Sequence, residues 1–187
     1  MDLALTFDDV VRIAQAAKDP GSGWTFLVSY LENRGGKALP QLATVDLQQD
    51  IRELRRQIQE LLASEPPPRE LNAVYFGLFD AVDDDGVEVI GYYVAGLKEF
   101  NPENGDSLCN PAWLPEGRYL ASTALDAVKE AEVSAGTTGH ADLRALLGYA
   151  GQLGAALLVS RFGSADLFPD LHRVVGFDSG DFAEIAE

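Results

Sequence analysis

The chain has one cysteine and two histidines, and its 14 lysine and arginine residues face 30 aspartates and glutamates. Each shortage excludes something. A single cysteine, Cys109, forbids an intramolecular disulfide and removes the usual mark of the oxidised secreted class. His140 and His172 with one cysteine do not make a standard zinc site unless carboxylates complete it. The shortage of positive charge leaves a formal −16. Such a surface repels phosphate backbones and anionic lipid, so neither nucleic acid nor membrane is expected as a partner. It attracts a basic protein, or it simply keeps the chain dissolved. No basic segment followed by an apolar one opens the sequence, and no apolar run reaches the roughly 18 residues that span a bilayer. The cytoplasm is the expected compartment.

Catalytic signatures are missing too. Gly35-Gly36-Lys37-Ala38 lacks both the spacing and the hydroxyl of a phosphate-binding loop. Gly176-Phe177-Asp178-Ser179-Gly180 carries its serine one place too late for a nucleophile elbow. Asp83-Asp84-Asp85-Gly86 invites a calcium reading. With Gly86 at the sixth place of an EF-hand loop, however, the first and last ligand places fall on Ala81 and Tyr92, which offer no carboxylate. A solvated hairpin tip suits it better. Around Cys109 no basic residue lies nearer than Lys98 and Arg118, so nothing local activates the thiol. No cofactor is expected and no enzyme is recognised.

What is there is a core. At 187 residues and 47% hydrophobic composition the chain suits a single domain. Residues 71–100 hold two apolar, β-branched and aromatic runs around the polar turn at Asp83–Gly86, a strong hairpin signal. Ala73, Tyr75, Gly77 and Phe79 share one face of the first strand, and Val74, Phe76 and Leu78 share the other. Both faces are apolar, so the hairpin is expected to be covered on both sides or central in its sheet.

Before it, a first helix is expected from a Thr6 cap to the Asp19-Pro20-Gly21 break, and a second through Trp24, Leu27, Val28 and Leu31 to Gly35-Gly36. A strand over Trp24–Tyr30 is the alternative there. Asp46 caps a third helix whose Leu47, Ile51, Leu54, Ile58 and Leu61 recur at spacings of four and three. That stripe suits a helix lying on the sheet; it is also a short coiled-coil seam on which a homodimer could form. Pro66-Pro67-Pro68 then links a helical part, residues 1–65, to an α+β part, residues 69–187.

After the hairpin, residues 101–119 carry no periodicity, and a connection of that length is often functional. Ser122 or Thr123 caps a further helix that ends near Gly136. From His140 to Phe162 one long helix is favoured, with Gly148, Gly151 and Gly154 in a row that would admit another backbone; a helix followed by a strand over residues 155–162 is the alternative. A last strand runs from Val174 to near Ile185. The fold expected is α+β: a small, mostly antiparallel sheet around the hairpin with about five helices.

Two constellations attract attention. Trp113-Leu114-Pro115-Glu116-Gly117-Arg118-Tyr119 brackets a charge pair with aromatic rings on a Pro-Gly turn. Trp113, Glu116, Arg118 and Tyr119 there either anchor the loop, with Arg118 satisfying its carbonyls, or form a recognition surface of the residue types that dominate binding hot spots. Asp178 and Asp181 flank a glycine bend between Phe177 and Phe182. They either close a turn or supply paired carboxylates for hydrolytic or metal-dependent chemistry.

Gly91-Tyr92-Tyr93-Val94-Ala95-Gly96 with Lys98-Glu99-Phe100, the Trp113–Tyr119 stretch, and Val175-Gly176-Phe177-Asp178-Ser179-Gly180-Asp181-Phe182 together resemble small acidic bacterial proteins, among them immunity-like families of polymorphic toxin systems. The resemblance covers the second half of the chain and assigns no catalytic residue. It implies a non-enzymatic protein that binds and neutralises a partner.

Overall fold

The computed structural model describes residues 3–82, 85–103, 108 and 110–185. The Cys109 thiol and the Asp83-Asp84 part of the hairpin tip lie outside them. Helix α1 (Leu3–Ala16) begins before Thr6, which is buried inside it rather than standing at its start. The Asp19-Pro20 break is the start of α2 (Pro20–Gly35): Asp19 accepts a hydrogen bond from the Ser22 amide, and Pro20 sits where a missing N–H costs nothing. Gly36, at φ 63°, closes α2 in the left-handed conformation that favours glycine. The strand alternative for Trp24–Tyr30 does not occur. A short α3 (Pro40–Ala43), unforeseen, is fastened where the Trp24 indole donates to the Leu42 carbonyl.

Asp46 caps α4 (Leu47–Ser64) as expected, accepting from the Gln49 amide. The stripe Leu47, Ile51, Leu54, Ile58 and Leu61 is buried within the chain. Its principal neighbour is α7 (Gln152–Ser164) rather than the sheet: Leu54 lies where a side chain on Gly163 would have to be.

Among the described residues the sheet has four strands, a hairpin on one side and two later strands on the other. Strands β1 (Ala73–Val82) and β2 (Glu88–Leu97) form the antiparallel hairpin, and β1 is central, pairing parallel with β3 (His172–Phe177). What was expected as one last strand is two. A turn over Asp178–Asp181, with Gly180 at φ 116°, reverses the chain into β4 (Phe182–Glu184). The class is α+β, with a mixed sheet in which two of the three pairings are antiparallel.

The second part of the 101–119 connection is held to the sheet, which its lack of periodicity does not suggest. From Ala112 to Leu120 it pairs with the open edge of β2, through Gly96 N–H to Trp113 O, Val94 N–H to Arg118 O and Leu120 N–H to Tyr92 O. Covering that edge satisfies backbone groups that would otherwise template a foreign strand.

Helix α5 (Thr123–Thr137) is capped by Ser122, and from α4 by the buried Asp50, whose carboxylate accepts from the Ser122 hydroxyl and the Thr123 and Ala124 amides. The favoured long helix is present. α6 (Ala141–Leu146), one π-helical turn (Leu147–Gly151) and α7 run on without a break. The glycine row admits side chains, not backbones: Gly148 faces Glu132, Gly151 faces Val128 and Gly154 faces Leu27. The expectation that no stretch suits a membrane span is corrected, since this helix reaches a mean hydropathy of 1.3. Yet 78% of that window is buried within the fold, the position of a core helix.

Candidate binding site

The two faces of the sheet are covered differently. Val74, Phe76 and Leu78 point at the helices and join the main core, whereas Ala73 and Tyr75 belong to a second, smaller cluster on the outer face. That outer face carries a cleft of about 460 Å³.

Its floor follows from the register. Tyr93 pairs with Gly77, Gly77 with Gly176, and Gly176 with Phe182, so one cross-strand row holds two adjacent glycines between aromatic residues. The Tyr93 ring lies across Gly77, where an added Cβ would meet it at 2.3 Å. Phe79 lies across its own partner, Gly91, in the same way. Glycine is required at both places by close approach rather than by φ.

The rings form a chain. Tyr75 meets Tyr93 edge-on at 5.9 Å, Tyr93 meets Phe79 at 5.9 Å, and Phe79 meets Tyr119 at 6.1 Å, each pair inclined by 56° to 77°. Inclined pairs of this kind are favourable beyond their buried area. Tyr119 and Leu114 form the rim, 58% and 51% exposed. At the polar end the Tyr93 hydroxyl donates to Asp178 Oδ1 at 2.7 Å. Burial, and then that bond to a carboxylate, push the Tyr93 phenol above its ordinary range. The Arg118 guanidinium lies 4.7 Å from the Tyr119 ring centre and donates to the Tyr119 hydroxyl and the Pro115 carbonyl.

Of the residues singled out from sequence, Arg118, Tyr119 and Asp178 meet in this cleft. Trp113 does not. It is buried in the helix-side core and donates to the Glu65 carbonyl, so its anchoring role is the one that holds. Glu116 is fixed through its backbone: its amide and that of Gly117 donate to the Glu65 carboxylate, at 2.8 and 3.0 Å. Those two amides hold the Glu65 carboxyl below its ordinary range.

Asp181 takes no part in the cleft. It accepts from Tyr149, whose ring stacks on Phe177 on the helix side, while Asp178 accepts from Tyr93 on the outer side. The turn itself is closed by backbone bonds, Phe177 N–H to Asp181 O and Gly180 N–H to Phe177 O. Each carboxylate is thus committed to a different tyrosine, and among the described residues no three or more His, Cys, Asp or Glu are grouped to hold a metal.

Sequence reading missed a second polar site. Lys129 and Glu132 of α5, both nearly buried, form an ion pair at 3.2 Å that Gln152 completes from α7 at 3.0 Å. Asp80, Glu88 and Arg144 close the ring around a cavity of about 380 Å³. Burial works to lower the Lys129 ammonium, but Glu132 and Asp80 outweigh it and hold its pKa above the ordinary value. Every charge there has a partner, which suits a device that fixes α5 against the hairpin.

No family model, curated protein or solved structure matches this chain. Three separate stretches, residues 91–100, 113–119 and 175–182, contribute Tyr93, Arg118 with Tyr119, and Asp178 to the same cleft.

Proposed function

We propose that the chain is a non-enzymatic, acidic protein-binding module of the cytoplasm that engages a basic protein through the outer face of its sheet. The observation that carries this reading is the outer-face cleft with exposed Tyr119 and Leu114 on its rim, because large apolar and aromatic side chains left in water beside a concavity are what interfaces use. The net charge of −16 supports a basic partner and fast, salt-sensitive association. The immunity-like resemblance extends the proposal to occlusion of a site on that partner.

The test is capture from the native host's lysate at low and high salt, with the wild-type chain and with Tyr119→Ser/Leu114→Ser. One stoichiometric basic protein, weakened by salt and lost with the double variant, is the expected result. A partner retained equally by both chains would overturn the assignment to this face.

A further inference from the structure

We infer that the outer-face cleft is a receptor for one arginine side chain of the partner, its guanidinium set against the ring faces of Tyr119 and Phe79 and paired with Asp178. This rests on the protein-binding reading above and specifies its chemistry. Three observations carry it.

The first is the wall. Tyr93, Phe79 and Tyr119 all line the cleft, and their rings are inclined to one another by 56° to 59°. Ring faces are the negative ends of aromatic quadrupoles, and a concave set of them attracts a cation. The second is the unneutralised carboxylate. Asp178 takes one phenol proton on Oδ1, and among the described residues it has no cationic partner and Oδ2 has no hydrogen-bond donor. Arg118 does not fill this role, because its donors go to Pro115 and Tyr119. The third is the molecule's own example: Arg118 lies over the Tyr119 ring at 4.7 Å, the stacking a guanidinium adopts on this ring, while Tyr119 stays 58% exposed and so keeps surface for a second one. A guanidinium suits the site better than an ammonium. It stacks flat on a ring while its edge N–H groups reach a carboxylate, whereas an ammonium is a more strongly hydrated point charge.

The probe is a capped Gly-Gly-Arg-Gly-Gly peptide, followed by chemical-shift changes in the labelled protein, with citrulline and lysine versions as controls. The arginine peptide is expected to shift the resonances of Tyr119, Phe79 and Asp178, and to bind at least fivefold more tightly than either control. Asp178→Asn should weaken it about fivefold and Tyr119→Leu, which keeps apolar bulk but removes the ring face, by a similar factor. Asp142→Asn, the same charge change on α6, should leave it unaltered. Equal binding of the citrulline peptide, or shifts that track Asp142 rather than Asp178, would overturn the inference. A partner captured in a Tyr119-dependent way while the arginine peptide leaves the cleft untouched would remove the arginine site and leave the protein-binding reading standing. Loss of Tyr119 dependence in the capture experiment would remove the protein-binding reading of this face and, with it, the arginine site that rests on it.

Discussion

Tyr92 and Tyr93 are neighbours on β2 and face opposite ways. Tyr92 is buried among the helices, and its hydroxyl shares a 2.6 Å hydrogen bond with that of Ser160, itself fully buried. Tyr93 lies on the outer face, and its hydroxyl goes to Asp178 on an exposed turn. The difference repeats across the sheet. On the helix side, polar groups close on one another: Asp50 on Ser122 and the α5 amides, Gln152 and Lys129 on Glu132. On the outer side, the polar groups reach the end of a cleft and stop at its mouth. A buried polar group needs its partners supplied within the fold, whereas a group at a cleft mouth can keep capacity for something else. On the function proposed above, stability belongs to the first face and recognition to the second.

The sharpest way to break that division is a pair of aromatic truncations. Phe76 is fully buried on the helix side, stacked near Tyr92 and edge-on to Phe168. Phe76→Ala should cost about 3–5 kcal/mol of unfolding free energy, the range for a large cavity in a core. Tyr119→Ala, on the rim, should cost less than about 1 kcal/mol while abolishing binding. Urea unfolding of both, at constant m-value, measures it. Similar losses would mean that the outer face is as much a core as the inner one.

The helix side was largely legible in the sequence because it is written in period. Leu47 to Leu61 recur on one stripe, the Asp46 cap precedes it, and all five are buried. Thr6 misled because a threonine three residues before an acid imitates a cap wherever it falls. A helix already under way at Leu3 buried it instead. The cleft was only half legible. Arg118, Tyr119 and Asp178 stand out as residue types, but Tyr93, Phe79 and the glycines beneath them are defined by pairing, and composition does not carry register. The signal was present in latent form: the register that pairs Val82 with Glu88 sets Gly77 against Tyr93 and Phe79 against Gly91. The ring of Lys129, Glu132 and Gln152 was invisible for a related reason, since its members come from α5 and from the far side of a π-helical turn.

A smaller effect tests the floor of the cleft. Gly77→Ala places a Cβ 2.3 Å from the Tyr93 ring, which is held by Asp178 and by its neighbours Tyr75 and Phe79 and must swing away. The expected loss is about 1–3 kcal/mol, as for overpacking, together with loss of the outer-face binding. In a Tyr93→Ser background the same glycine change should cost much less, because the clash has gone. A double-mutant cycle with no coupling would show that Gly77 is not there for Tyr93.

The mildest separation comes from alkaline titration. Burial raises both phenols, and for Tyr93 the bond to the Asp178 carboxylate adds to it. Since folding raises these pKa values, the folded chain keeps protons that the unfolded chain gives up above about pH 10. Their contribution to stability is therefore complete below that pH and is lost as the pH climbs through the folded values. Tyr93→Phe should flatten the alkaline decline slightly, its ring being partly in water. Tyr92→Phe should flatten it more, while lowering stability near neutral pH by about 1 kcal/mol for the lost bond to Ser160. Unfolding free energies followed from pH 7 to 11 distinguish the two. If Tyr93→Phe were the larger effect, its hydroxyl would be the more tightly enclosed of the pair, and the outer face would be closed to a partner.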